Sequence, residues 1–155
     1  MDTTTSITRR EAKIAVDTFI NNYLANTSAD VQPETIVSIQ AALTGQDLQI
    51  RDYLLGLPLE YPLDQITEAV SVMAEFLPEG NRASLYSVLA AYEFQGGNTE
   101  IAQDFLSLAF ADEANYPLAN LLRRVIAAGW LPEQFAEMQR EVHPKVVAGL
   151  DDTLV

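Results

Sequence analysis

Apolar residues recur at intervals of three and four along almost the whole chain, and strict alternation is nearly absent. That period belongs to helices with one buried face, and not to strands. The first helix has a defined start. Thr8-Arg9-Arg10-Glu11 reads as a capping box, in which the Thr8 hydroxyl accepts from an amide one turn in and Glu11 reaches back. Ala12, Ala15, Val16, Phe19, Ile20, Tyr23 and Leu24 form its stripe, and Asn26-Thr27-Ser28 closes it with turn-forming residues.

Pro33 suits the first turn of a second helix, where an amide hydrogen would have no helical acceptor. Its face is Ile36, Ile39 and Leu43, and Gly45 is expected to end it in the left-handed conformation. Asp47 is placed to cap a short third helix carrying Leu48, Ile50, Arg51, Leu54 and Leu55. Gly56, Pro58 and Pro62 break the chain into a loop that holds Tyr61. A fourth helix follows, with Ile66, Ala69, Val70, Met73, Ala74 and Leu77 on one side. Pro78-Glu79-Gly80-Asn81 turns the chain into a fifth helix marked by Leu85, Val88, Leu89 and Tyr92.

Gly96-Gly97 breaks that helix and Asn98 is placed to cap the sixth, which carries Ile101, Ala102, Phe105, Leu106 and Ala109. Pro117 starts a seventh, with Leu118, Leu121, Leu122, Val125 and Ile126, and Gly129 ends it. Pro132 opens an eighth with Phe135, Met138 and Val142, and Pro144 is expected to break it. Short turns make sequence neighbours antiparallel in space. The prediction is therefore an all-α fold: an irregular stack of antiparallel helical hairpins, about seven or eight helices, in one domain spanning residues 1–155. Residues 1–7 and 150–155 are expected to fray.

Leu85 to Pro117 resembles a single tetratricopeptide-like hairpin. The likeness rests on Leu85, Val88 and Tyr92, the Gly96-Gly97-Asn98 turn, then Ala102, Leu106 and Ala109, and a following proline. Leu89 stands where the repeat has glycine, the turn has one glycine too many, and no clean second copy follows. The stretch is one repeat-like hairpin and not an array.

A wider likeness covers residues 48–135. Arg51-Asp52-Tyr53-Leu54-Leu55, Arg82-Ala83-Ser84-Leu85 and the run from Ala90 to Asn98 carry its first part. Ala102 to Ala109, Tyr116 to Leu122 and Ala127-Ala128-Gly129-Trp130-Leu131-Pro132 carry the rest. These segments resemble the C-terminal helical half of the domain of unknown function 4192 family. The family's Gly-Asp-Gly-like turn is Gly96-Gly97-Asn98 here, and its closing Gly-x-Pro-Pro is Gly129-Trp130-Leu131-Pro132. The resemblance implies a helical fold and no activity. It also places any site carried by the family's β-rich N-terminal half outside this chain.

Charge and composition narrow the function. Twenty-two acidic residues face nine basic ones, for a formal net charge of −13. Such a surface repels nucleic-acid phosphates and anionic membranes, and favours solubility or a basic partner. There is no cysteine, which excludes disulfides, Cys-ligated metal and thiol nucleophiles, and fits a reducing cytoplasm. The start of the chain has no basic segment followed by an apolar one, and no run is long enough to span a bilayer.

Candidate chemistry is sparse. His143 is the only histidine, with no partner at motif spacing, and reads as a surface side chain near a helix end. Glu133, Glu137 and Glu141 share one helix face, but no histidine follows any of them by three positions as a di-iron site requires. Gly96-Gly97 lacks the Lys-Ser or Lys-Thr of a phosphate loop. Arg9-Arg10 and Arg123-Arg124 are expected to pair with nearby acids. No catalytic residue, metal ligand or cofactor is predicted. Arg51 and Asp52, a charged pair between apolar neighbours, and Tyr61 and Trp130, loop aromatics beside prolines, are the candidate partner surface. Arg51 has a purely structural alternative, clamping a nearby acid or helix end.

The leading expectation is a non-enzymatic interaction module for a protein or peptide, a basic one being one option beside an acidic surface that serves solubility alone. Alternatives are a structural, self-associating domain, the helical half of a larger regulator or enzyme, and an acidic mimic of DNA.

Overall fold

In the computed structural model, residues 7–25 and 31–151 are described. Among them lie eight α-helices: α1 (Arg9–Leu24), α2 (Pro33–Thr44), α3 (Gln49–Leu55), α4 (Leu63–Phe76), α5 (Ala83–Gln95), α6 (Thr99–Asp112), α7 (Pro117–Ala127) and α8 (Pro132–Asp151). A short 3-10 turn, Leu57–Leu59, links α3 to α4, and no strand occurs among the described residues. The fold is an all-α helical stack.

Helix α5 is its axis. The sequence Ala83-Ser84-Leu85-Tyr86-Ser87-Val88-Leu89-Ala90-Ala91-Tyr92 is apolar or small on every side, and such a helix is stable only when surrounded. It packs against α3, α4, α6, α7 and α8. Ala83, Ala90 and Ala91 are buried, and their small size lets neighbouring helices approach. Helix α1 is a second hub, touching α2, α3, α4 and α8. Contacts of α8 with α1 and α3 bring the two ends of the described chain together.

Two polar anchors fix α5. The Tyr92 hydroxyl, fully buried, donates to the carbonyl of Leu54 at the end of α3. Helix ends leave carbonyls short of intrahelical donors, and Leu54 is one of them because Pro58, four positions on, has no amide hydrogen. Burial pushes the Tyr92 phenol well above its usual range, so it stays a donor. Tyr92→Phe is expected to cost about 1–2 kcal/mol, seen as a lower urea midpoint at unchanged slope. An unchanged midpoint would show that the Leu54 carbonyl does not depend on the bond.

The second anchor is Asp112, the last residue of α6. Its carboxylate accepts from the amides of Gly80 (2.6 Å), Arg82 (2.8 Å) and Ala83 (2.8 Å). It therefore caps α5 from a different helix. Arg82 Nε in turn donates to the Leu77 carbonyl at 2.7 Å, closing the end of α4.

Several local expectations hold. Thr8 and Glu11 form the reciprocal capping box, with both bonds at 3.0 Å. The Glu11 carboxyl is held below its usual range by the Thr8 amide and hydroxyl. The expected stripe of α4 is buried throughout. Gly129 takes a positive φ of 81° at the end of α7, a conformation open to glycine without strain.

Others are corrected. Pro144 does not end α8, which runs on to Asp151. An internal proline costs roughly 3 kcal/mol, but Phe135, Gln139, His143, Val146 and Leu150 form a continuous buried face across it. Burial of the apolar members offsets that cost, at about 1.5–3 kcal/mol per large side chain. At the ends, where fraying is expected, Leu150 is fully buried and Ile7 packs against the core. Gly45 has φ −84°, so α2 ends in extended backbone and not in a left-handed residue. Asp47 accepts from the Gln49 amide at 3.0 Å, but the cap position itself is Leu48, which is exposed. Asn98 holds the cap position of α6 without a side-chain bond to it, and its amide donates to Glu93 instead. Ile101, Leu121 and Val142, expected to face the core, are exposed. The expected turn at 26–28 and the ends at 1–6 and 152–155 fall outside the described residues.

Candidate functional site

Two constellations stand out, and no sequence motif announces either. The first draws titrating side chains from α1, α3, the segment after α3, and α8. On α1, Lys13 and Asp17 sit one turn apart and form an ion pair at 2.8 Å. Tyr53 of α3 donates to the other carboxylate oxygen of Asp17 at 2.6 Å. The Lys13 ammonium also lies 5.4 Å from the centre of the Tyr53 ring. Burial, and then the bond to Asp17, push the Tyr53 phenol far above its usual range.

The Tyr53 ring stacks on the imidazole of His143, with centroids 6.0 Å apart and planes 17° from parallel. His143 Nε2 meets a carboxylate oxygen of Glu60 at 2.6 Å. His143 is only 6% exposed, which overturns the expected surface position. The reason is the continuation of α8 through Pro144, which puts His143 in the middle of a buried face. His143 Nδ1 is buried and has no hydrogen-bond partner. It rests on Gly56, where a Cβ would stand 2.1 Å from Nδ1.

The carboxylates of this cluster find their partners within it. Asp17 is held by Lys13 and Tyr53, and Glu60 by His143. Among the described residues, no three histidine or carboxylate side chains converge as metal ligands. The arrangement is a polar tie that joins α1 and α3 to α8.

The second constellation flanks α4. On one side, α1, the start of α2, and α4 enclose a cleft of about 200 Å³ walled by Phe19, Tyr23, Val31, Val72 and Phe76. Phe76 is 45% exposed and meets Phe19 edge to face at 5.8 Å. Neutral polar groups, among them Thr18, Asn22 and Gln32, form its rim. On the other side, α4 and the α5–α6 hairpin enclose a wider cleft of about 590 Å³, with Asp64, Glu68 and Glu93 over an apolar floor of Leu63, Val72 and Phe105. Val72 lines both clefts. Glu68 accepts from the Tyr23 hydroxyl at 2.8 Å, and that bond raises the Tyr23 phenol above its usual range. The members of the His143 cluster line neither cleft.

The four residues expected to form a partner surface sit in different local settings. Arg51 and Asp52 pair with each other at 3.0 Å, and the Arg51 side chain is mostly buried. Tyr61 is half-buried, donates to Asn21 at 3.4 Å, and stands near Asp17 and Glu60, whose charges add to burial in raising its phenol. Trp130 is 39% exposed in the turn between α7 and α8. Glu133, Glu137 and Glu141 are exposed, and Glu137 pairs with Arg140. Arg9 pairs with Asp47 at 2.7 Å as expected. Arg123 instead donates to Asn120 and lies over the Phe110 ring, and Arg124 donates to the Asn120 carbonyl.

Val72 and Phe76 were missed because the core stripe of α4 is complete without them. Their signal was an apolar pair at i, i+4 outside that stripe. No helix among the described residues is long and apolar enough to cross a membrane. The chain matches no family model, no curated protein and no solved structure.

Proposed function

We propose that the chain is a non-enzymatic protein–protein interaction module whose docking site is the apolar cleft beside α4. The observation that carries this reading is Phe76, 45% exposed at a cleft otherwise walled by Phe19, Tyr23 and Val72. An apolar hollow with an aromatic wall and a neutral polar rim is the anatomy of an interface anchor site. At about 200 Å³ it suits one bulky side chain better than a cofactor, because ligand sites run to roughly 300–1,000 Å³. The α5–α6 hairpin, tetratricopeptide-like in sequence, serves as scaffold for the opposite wall of α4. The chain's likeness to the domain of unknown function 4192 family adds no activity to this reading. The lack of cysteine suits a reducing cytoplasm.

Selection of random peptides on the immobilised chain tests the proposal. Sequences with a bulky apolar anchor are expected to be recovered, and Phe76→Glu is expected to abolish the recovery. Because Phe76 is half in solvent, that variant should stay folded, with a stability loss of about 1 kcal/mol for the lost ring contact. Equal recovery on both proteins would overturn the reading.

Self-association is a second reading, favoured by Ile101 and Leu108 on α6. They are 46% and 47% exposed, two turns apart on one face. Light scattering decides it: a monomer at high concentration removes this reading.

A further inference from the structure

We infer that the partner segment is cationic as well as apolar, and that it crosses α4 at Val72 so as to occupy both clefts. This rests on the docking role proposed for the apolar cleft and goes beyond it by naming the partner's chemistry.

The argument starts from the outer face of α4. Its exposed positions are Asp64, Gln65, Glu68, Glu75 and Phe76, with Val72 half-buried between them. The helix contains no lysine or arginine. Acidic and apolar groups therefore share one ridge. Val72 belongs to the walls of both clefts, so a segment that fills the apolar cleft and continues past Val72 meets Asp64, Glu68 and Glu93.

None of these three carboxylates has a lysine or arginine partner among the described residues. Elsewhere, Asp17, Asp47, Asp52 and Glu137 each have one. No basic side chain lines either cleft. Asp64, Glu68 and Glu93 stand around a wide cleft with an apolar floor, and a floor of Leu63, Val72 and Phe105 suits the methylene stem of a lysine or arginine. A cationic head there meets several carboxylates at once. A bulky side chain two or three residues away meets the Phe19–Phe76 wall.

Charge also decides against a second copy of this chain as occupant. Two copies each carry a formal charge of −13, and pairing through α4 would set acid against acid. The same acidity disfavours an anionic lipid surface or nucleic acid.

Two synthetic peptide pools test the inference on the full chain. Both carry leucine or phenylalanine at the same positions. One has lysine and arginine at the rest, and the other has serine and glutamine. The cationic pool is expected to bind at least about tenfold tighter at low salt and to lose most of that advantage near 0.3 M salt, where the screening length falls well below its physiological value. The triple change Asp64→Asn, Glu68→Gln, Glu93→Gln is expected to remove the advantage, while Phe76→Glu weakens both pools.

If the two pools bind equally and both respond to Phe76→Glu, the cationic inference is overturned and the apolar docking site stands. If neither pool binds, or binding ignores Phe76→Glu, the docking site itself falls. A dimer in solution that Phe76→Glu dissociates would name a second copy as the occupant and overturn the inference.

Discussion

Replacing Asp112 with alanine is expected to lower the unfolding free energy by about 2–3 kcal/mol, a large change for a single partly exposed side chain. The carboxylate accepts from three amides, Gly80, Arg82 and Ala83, at 2.6, 2.8 and 2.8 Å. A bond to a charged acceptor is worth roughly 1.5–3 kcal/mol, but three bonds to one group do not add, and solvent at the turn weakens them. The expectation is therefore close to the worth of one such bond and well below the sum of three. Two of the amides begin α5, the helix that touches most of the others, so the loss is global and not a local loosening. Asp112→Asn keeps one acceptor oxygen without the charge and should lose about half as much. The neighbouring Glu113 is exposed and its side chain makes no hydrogen bond among the described residues, so Glu113→Ala should stay within about 0.5 kcal/mol. Urea unfolding at constant slope reads all three. Equal losses at 112 and 113 would mean that general charge near the turn acts, and not the cap.

The helices were legible because their signals are local. The Thr8 and Glu11 box, the stripe of α4 and the glycine after α7 each need only a few neighbouring residues to be read. What failed was tertiary. Asp112 carries no local signal, because its role depends on amides some thirty positions earlier. Pro144 looked like a stop, because the cost of a proline is local while the burial of Val146 and Leu150 that outweighs it is not. Placing His143 at a helix end followed from that error. Gly45 shows the reverse case: a glycine after a helix is expected to be left-handed, yet extended backbone there already ends the helix. The site was less legible than the fold. Tyr61 and Trp130 were read as surface aromatics from their loops. Phe76 escaped notice inside a regular helix, and only the neighbouring walls of α1 and α2 make it part of a cleft.

The second large effect is expected at Gly56. On propensity alone, Gly56→Ala should stabilise the protein. The residue has φ −91° and ψ −1°, which alanine adopts freely, and losing a glycine from the unfolded chain is worth about 0.4–1 kcal/mol. The structure reverses the sign. The added Cβ would lie 2.1 Å from His143 Nδ1, 2.6 Å from its Cγ and 2.9 Å from its Cβ. These atoms are near the root of the side chain, so rotating a flexible tip does not relieve the contact. Either α8 moves away from α3 or the imidazole leaves its pocket. Leaving gives up both the Glu60 contact and the stack on Tyr53. Overpacking of this kind costs about 1–3 kcal/mol, with the lost bond in addition, so a net destabilisation of about 2–3 kcal/mol is expected. A double-mutant cycle identifies the cause. His143→Ala removes the two closest contacts, so Gly56→Ala should cost at least about 1 kcal/mol less in that background than in the wild type. Strict additivity would place the strain elsewhere, and a stabilised Gly56→Ala would show that α8 yields without loss. The expected coupling would make Gly56 the position that lets a buried histidine reach the backbone, and so join α1 and α3 to the last helix.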